Sequence, residues 1–293
     1  MIFDLRDGGK LYYEVHGDQG QWLILLNGIM MNTKSWHDYI PALSKHYRLI
    51  VVDFRDQSQS SKLEEGYDVS LHVSDLVQLF DYLGINQVNM FGVSYGGLVA
   101  MDFTRNHQDR LKRLMLMSIV PKATNHFRAI GEAWRISSRY KNGADFFAIG
   151  FPFVYSEVFY EQNLDWLIDR QKILHELLTE EWFEAFLRLS DTTKQFDYTN
   201  QLKQITVSTL LICGSNDFIT PTRHMEEMSQ KIPNCIMLTI PKAGHGAVLE
   251  TPKELITAIN GFMLSEITSI EKKDTHSPKR VFKNHKGVRN PQI

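Results

Sequence analysis

Short unbroken runs of apolar residues recur along the chain, separated by amphipathic helical stretches. "WLILL" (Trp22 to Leu26), "HYRLIVVDF", "NQVNMFGVS", "RLKRLMLMS", "VSTLLICG" and "CIMLTI" are the runs. A continuous apolar run of this length suits a strand covered on both faces. Between two of them, "VSLHVSDLVQLFDYL" (Val69 to Leu83) sets Leu71, Leu76, Leu79, Phe80 and Leu83 at helical spacing, with Gly84 as a stop. "YGGLVAMDFTRNH", a stretch near Arg223 to Lys231 and a final one from Pro252 to Ile267 read as further helices. Earlier, "KLYYEV" reads as a strand closed by the turn signal "HGDQG". Strands that alternate with helices build an α/β fold: a mostly parallel central sheet with helices on both faces.

Between about Pro121 and Asn200 this rhythm stops. "FFAIGFPFVYSEVFYEQNLDWL" and "EEWFEAFLRL" are aromatic and helical in character. We read residues 121–200 as a helical cap inserted into a core made of residues 1–120 and 201–268. Trp134, Phe146, Phe147, Phe151, Phe153, Tyr155 and Trp166 are candidates for a cap core or a pocket lining. Residues 269–293, which include "EKKDTHSPKRVFKNHKGVRNPQI" from Glu271, are basic and poor in apolar side chains, the composition of a disordered tail. With 293 residues and a 43% hydrophobic fraction the chain can bury one large core.

A formal net charge of −2 gives no reason to expect nucleic acid or an anionic membrane as partner. Cys213 and Cys235 both lie in apolar runs and read as buried thiols, which fits a reducing cytoplasm. The first residues, "MIFDLRDGGKLYYEVHG", lack the basic and apolar regions of a signal peptide, and no run reaches membrane-span length. Walker and zinc-deaminase patterns are absent, so no cofactor and no metal are expected.

The chemistry concentrates in "GVSYGG". Gly92-Val-Ser94-Tyr-Gly96 follows an expected strand and opens an expected helix. In that context a G-x-S-x-G pattern is a strained turn that lifts a serine hydroxyl clear of the sheet. Side chains two residues before and after the serine would collide in such a turn. A hydroxyl needs a base, and the base an orienting acid. "GSNDFITP" offers Asp217 and "AGHGAVLETP" offers His245, each just after a strand. The order Ser94, Asp217, His245 is the serine, acid, histidine order of that architecture. Gly244 and Gly246 are expected to leave the imidazole free to approach. The negative oxygen of an acyl-transfer intermediate needs donors. The backbone N–H groups of Tyr95 and of Ile29, in "NGIMMNTKSW", are the candidates.

On these motifs the chain resembles the α/β-hydrolase superfamily from about Lys10 to Phe262. It is most similar to the small capped serine hydrolases that include enol-lactone hydrolases and carboxylesterases. The resemblance implies attack by Ser94 on a small-molecule ester, thioester or lactone, with water resolving the acyl-enzyme. Acyl transfer, carbon–carbon bond hydrolysis and ligand reception without catalysis are alternatives on the same fold. Epoxide hydrolysis and dehalogenation are disfavoured, since those relatives usually carry aspartate where Ser94 stands. Two departures stand out. Asn27 replaces a frequent histidine, and "DFRDQSQSS" carries Asp56 and Ser58 where the family usually has glycine. Neither has the freedom of glycine at positive φ, so an altered loop is expected there. Asp53 and Arg55 are expected to hold that loop together.

Overall fold

The computed structural model describes residues 1–265. Its centre is an eight-stranded sheet in the order β1-β2-β4-β3-β5-β6-β7-β8. The strands are β1 (Ile2–Asp4), β2 (Lys10–His16), β3 (Trp22–Leu26), β4 (Arg48–Asp53), β5 (Val88–Val93), β6 (Leu111–Met117), β7 (Ser208–Gly214) and β8 (Cys235–Ile240). β2 runs antiparallel to β1 and β4, and every other pairing is parallel. β1, three residues long, was too short to show a period in sequence.

The helices are α1 (Ile40–Leu43), α2 (Ser70–Tyr82), α3 (Tyr95–His107), α4 (Asn125–Ser138), α5 (Gly143–Gly150), α6 (Glu157–Gln162), α7 (Leu164–Leu177), α8 (Glu180–Thr192), α9 (Thr222–Lys231), α10 (Ala247–Glu250) and α11 (Pro252–Leu264). Alternate side chains of each strand go to opposite faces. Ile24, Leu26, Ile50, Val52, Met90 and Leu114 therefore meet α2, α3 and α9 through Leu76, Leu79, Val99, Phe103 and Met225. Leu23, Leu25, Leu49, Val51, Phe91 and Met115 meet Trp36, Leu43, Leu255 and Ile259 on the other face. The continuous apolar runs arise because both faces are covered. Cys213 is buried as expected, but Cys235 is only half-buried. It sits on β8, an edge strand whose faces are partly open.

β3 lies between β4 and β5, so the chain winds one way from β3 and then returns past it. The loops leaving β3 and β5 therefore diverge at a switch point, where open α/β sheets form crevices. Helices α4 to α8 all fall between β6 and β7. Four begin on a polar cap: Thr124, Asn142, Ser156 and Thr179 each accept a backbone N–H of the first turn. Trp134, Phe146, Phe147, Phe151, Phe183 and Phe186 form a separate apolar cluster within these helices. Ile219, from the loop after β7, belongs to that cluster, and Ile29 and Met30 pack against it. The inserted helices thus rest on the loops at the carboxyl edge of the sheet. The expected tail, and the last residues of the expected final helix and core, lie outside the described residues.

Candidate active site

Ser94 stands between β5 and α3 with φ 50 and ψ −109, a conformation that L-residues avoid. Crowding accounts for the flanking glycines. A methyl group on Gly92 would run into the carbonyl of Gly96, and one on Gly96 into the carbonyls of Leu26 and Asn27. The Ser94 N–H donates to the carbonyl of Met117 at 2.9 Å, and its carbonyl accepts the amides of Gly97 and Leu98. The turn is therefore pinned to β6 and α3, with the side chain left over for chemistry.

The three sequence candidates meet. Ser94 Oγ lies 2.9 Å from Nε2 of His245. His245 Nδ1 lies 3.0 and 3.1 Å from the two oxygens of Asp217. The Asp217 side chain is fully buried. An ionised carboxylate only accepts, so Nδ1 carries the proton and Ser94 O–H donates to Nε2. Burial pushes the Asp217 carboxyl up. The nearby His245 and the hydrogen bonds from His245 and Thr220 outweigh it and hold the group below its ordinary value. Thr220 is a member that sequence reasoning missed. Its N–H and Oγ donate to the two Asp217 oxygens at 2.7 and 2.6 Å. Its only sequence signal was a threonine three residues after the acid.

Gly244 and Gly246 serve a different purpose from the one expected. A methyl on Gly244 would strike the amide of Ser156, and one on Gly246 the ring of Tyr155. They make room for the inserted segment to lie against the histidine loop. Glu250 binds the two together: its carboxylate accepts from Ser156 N at 3.0 Å, Ser156 Oγ at 2.7 Å and Gly244 N at 3.0 Å.

The backbone N–H groups of Ile29 and Tyr95 engage no acceptor among the described residues, and both residues border space that Ser94 also borders. Asn27 orders the first of these loops. Its Nδ2 donates to Val52 O at 2.7 Å and to Gln57 Oε1 at 3.1 Å, while its Oδ1 accepts from Trp36 Nε1 at 2.7 Å. Gln57 Nε2 in turn donates to Gly28 O at 2.9 Å. That carbonyl, which precedes the Ile29 amide, also accepts from the Met31 amide at 3.0 Å, so the loop is held from two sides. Nothing in the sequence marked Gln57 or Trp36 for this task.

The loop after β4 also differs from expectation. Asp56 and Ser58 adopt φ 67 and φ 34, so the left-handed backbone is kept without glycine. What changes is the side chain. Asp56, fully buried, takes a two-pronged bond from Arg188 of α8, Nε to Oδ2 at 3.0 Å and Nη2 to Oδ1 at 2.8 Å. Asp53 accepts the amides of Thr33 and Gln59, and Arg55 forks onto Asp75 and reaches Asp7. Asp53 and Arg55 hold loops and do not border the cavity.

That cavity, about 360 Å³, opens over Ser94 and His245. Trp134, Phe146, Phe151 and Tyr155 line it, together with Leu174 and Phe186. Phe147, Phe153 and Trp166 do not; Phe147 stacks on Phe151, Phe153 on Phe218, and Trp166 is 43% exposed. Among the described residues no cluster of histidine, cysteine, aspartate or glutamate could hold a metal ion, and no helix is long and apolar enough to cross a membrane.

Comparison with known proteins agrees with this architecture. The family described as "alpha/beta hydrolase fold" matches residues 21–252. The crystal structure of MGS-M2, an α/β-hydrolase enzyme from a Medee basin deep-sea metagenome library, is similar at a TM-score of 0.89 and 31% identity. The match covers 92% of this chain and 100% of that one. An enol-lactonase from Burkholderia xenovorans LB400 superimposes at a TM-score of 0.79 with 20% identity, over 90% of this chain and 100% of its own, a likeness of fold. A Caulobacter sp. (strain K31) protein named "Putative carbamate hydrolase RutD" is 22% identical over 87% of this chain and 96% of its own. The strand order, the serine turn and these matches together make the chain a member of the α/β-hydrolase fold family and a hydrolase-type enzyme.

Proposed function

We propose that the protein hydrolyses a carboxylic ester, thioester or lactone of a small molecule through an acyl-enzyme on Ser94. One observation carries the reading. Ser94, His245 and Asp217 form a single hydrogen-bonded line that opens into an apolar cavity. In the first half-reaction His245 Nε2 takes the Ser94 proton as Oγ attacks the acyl carbon. The amides of Ile29 and Tyr95 hold the oxyanion, and Asp217 stabilises the imidazolium. The bond to the leaving group then breaks, and His245 returns the proton to it. Water, deprotonated by His245, frees the acid and restores Ser94. Names among the relatives, enol-lactonase and carbamate hydrolase, support acyl chemistry on this fold. The inserted helices act as a cap over the substrate.

A second reading, transfer of the same acyl group to a hydroxyl, gains support from the aromatic roof, since excluding water favours another acceptor. Product analysis with an acyl thioester and added alcohols separates the two. Free acid alone at every alcohol concentration decides for hydrolysis.

The test of the main reading is Ser94→Ala. It should lower p-nitrophenyl ester turnover by about 10⁴-fold or more and abolish labelling by a fluorophosphonate, with the thermal transition retained. Turnover equal to wild type would remove Ser94 from the mechanism.

A further inference from the structure

Among the described residues, Arg170 borders the cavity over Ser94 as a cation with no hydrogen-bonded or ion-paired partner. The cavity's charged or titratable borders are Asp56, Tyr155, Arg170 and His245. Asp56 is spoken for by Arg188 and by the amide of Leu63, and His245 by Ser94 and Asp217. Arg170 makes no hydrogen bond or ion pair among the described residues, although it is half-buried in the wall. It does not border the cavity by chance. Arg170, Leu174, Leu177 and Leu178 recur at helical spacing along α7 and its end, and all four line the space. The face that α7 turns to the cavity is thus three leucines and one guanidinium.

A second donor stands near it. The Tyr155 hydroxyl takes part in no hydrogen bond among the described residues. Both residues border the same cavity; burial raises the Tyr155 pKa, and the positive charge of Arg170 works against that rise. The nearby carboxylate of Glu250 already accepts from Ser156 and Gly244. An arginine and a tyrosine bordering a mostly apolar space complement a planar anion that accepts hydrogen bonds.

We infer that Arg170 is a specificity-determining residue which, with Tyr155, binds a carboxylate on the substrate, so that the preferred substrates are anionic acyl compounds rather than neutral ones. The inference rests on the hydrolase reading for its meaning, but its test does not. The carboxylate belongs either to the acyl part or to the leaving part, and both place the same charge under α7.

The experiment has two readouts. Binding is measured by calorimetry on the Ser94→Ala protein, which cannot turn over, using monomethyl adipate, which carries one carboxylate, and dimethyl adipate, which carries none, as probes. Monomethyl adipate should bind about 10- to 100-fold more tightly than dimethyl adipate, the worth of a charged hydrogen-bonded pair. Adding Arg170→Gln should erase that ratio, and adding Arg170→Lys should restore part of it. Kinetics on the otherwise native protein compare kcat/KM for mono-p-nitrophenyl adipate and 4-carboxyphenyl hexanoate, each against its neutral counterpart. A preference in either pair that falls about 10-fold or more in Arg170→Gln supports the inference, and the pair that shows it locates the carboxylate. Equal binding of monomethyl adipate and dimethyl adipate, or a ratio that Arg170→Gln leaves alone, overturns it. Loss of the hydrolase reading would look different: no ester turnover and no fluorophosphonate labelling in wild type, whatever the calorimetry gives.

Discussion

Ser94 has a hydroxyl no more reactive than any other serine until its neighbours act on it. The backbone strain at φ 50 is tolerated because β5, β6 and α3 all grip the turn. The imidazole is useful only in one tautomer, with the proton on Nδ1. Asp217 accepts from Nδ1 and so favours that tautomer, and Thr220 donates to both oxygens of Asp217. Asp217→Asn should therefore preserve the fold and lower kcat by about 10⁴-fold, because an amide that donates to Nδ1 puts the proton on the wrong nitrogen. Steady-state ester hydrolysis checks this. A loss under 10-fold would mean that another group orients His245. Ser94, Asp217 and His245 were legible in sequence because each lies in a short motif just after an apolar run. Thr220, Gln57, Trp36 and Glu250 were not. Each acts by a hydrogen bond to a residue whose position only the folded chain determines.

At the level of elements, the alternation of strand and helix was readable because both faces of the sheet are covered. Doubly buried strands show as unbroken apolar runs. The inserted helices were readable as helices but not as to which aromatic rings face the cavity. Trp134, Phe146, Phe151 and Tyr155 do, and Phe147 does not. Their arrangement depends on how α4, α5 and α8 cross, which periodicity within one helix does not contain. The contact between α8 and the loop after β4 is of the same kind. A buried aspartate at position 56 costs both desolvation and positive φ. Arg188 compensates the charge. The two partners are unequal. Arg188→Gln strands a fully buried carboxylate, whereas Asp56→Gly leaves a cation that is 17% exposed and relieves the backbone. Urea unfolding should show Arg188→Gln costing about 3 kcal/mol and Asp56→Gly clearly less. Equal costs, or the reverse order, would mean that the fork carries no weight.

For the whole molecule, response to acid is the informative measurement. His72, on α2, is buried among Phe54, Tyr67 and Tyr95, with both ring nitrogens unbonded. Burial first, and then the positive charge of Arg55, push its pKa down from 6.5 to about 3. The unfolded chain takes up this proton below pH 6.5 and the folded one does not. Stability from this group is therefore complete above 6.5 and is lost as the pH falls toward 3, at about 1.4 kcal/mol per pH unit. His224, lowered mainly by partial burial, adds in the same direction. His72→Phe should flatten the dependence of the unfolding free energy on pH between 6 and 4. An unchanged slope would assign acid sensitivity to other groups.

The bond between Asp56 and Arg188 has a consequence for descent as well as for stability. Residues 118 to 207 form one continuous stretch between β6 and β7, and Ser94, Asp217 and His245 all lie outside it. Asp56 lies outside the stretch too and is tied to it through Arg188. A foreign stretch without the arginine would leave a stranded anion at the rim of the pocket. A change at either position therefore favours a matching change at the other, 132 residues away along the chain. Descendants that acquire new tastes should keep the couple or lose both halves.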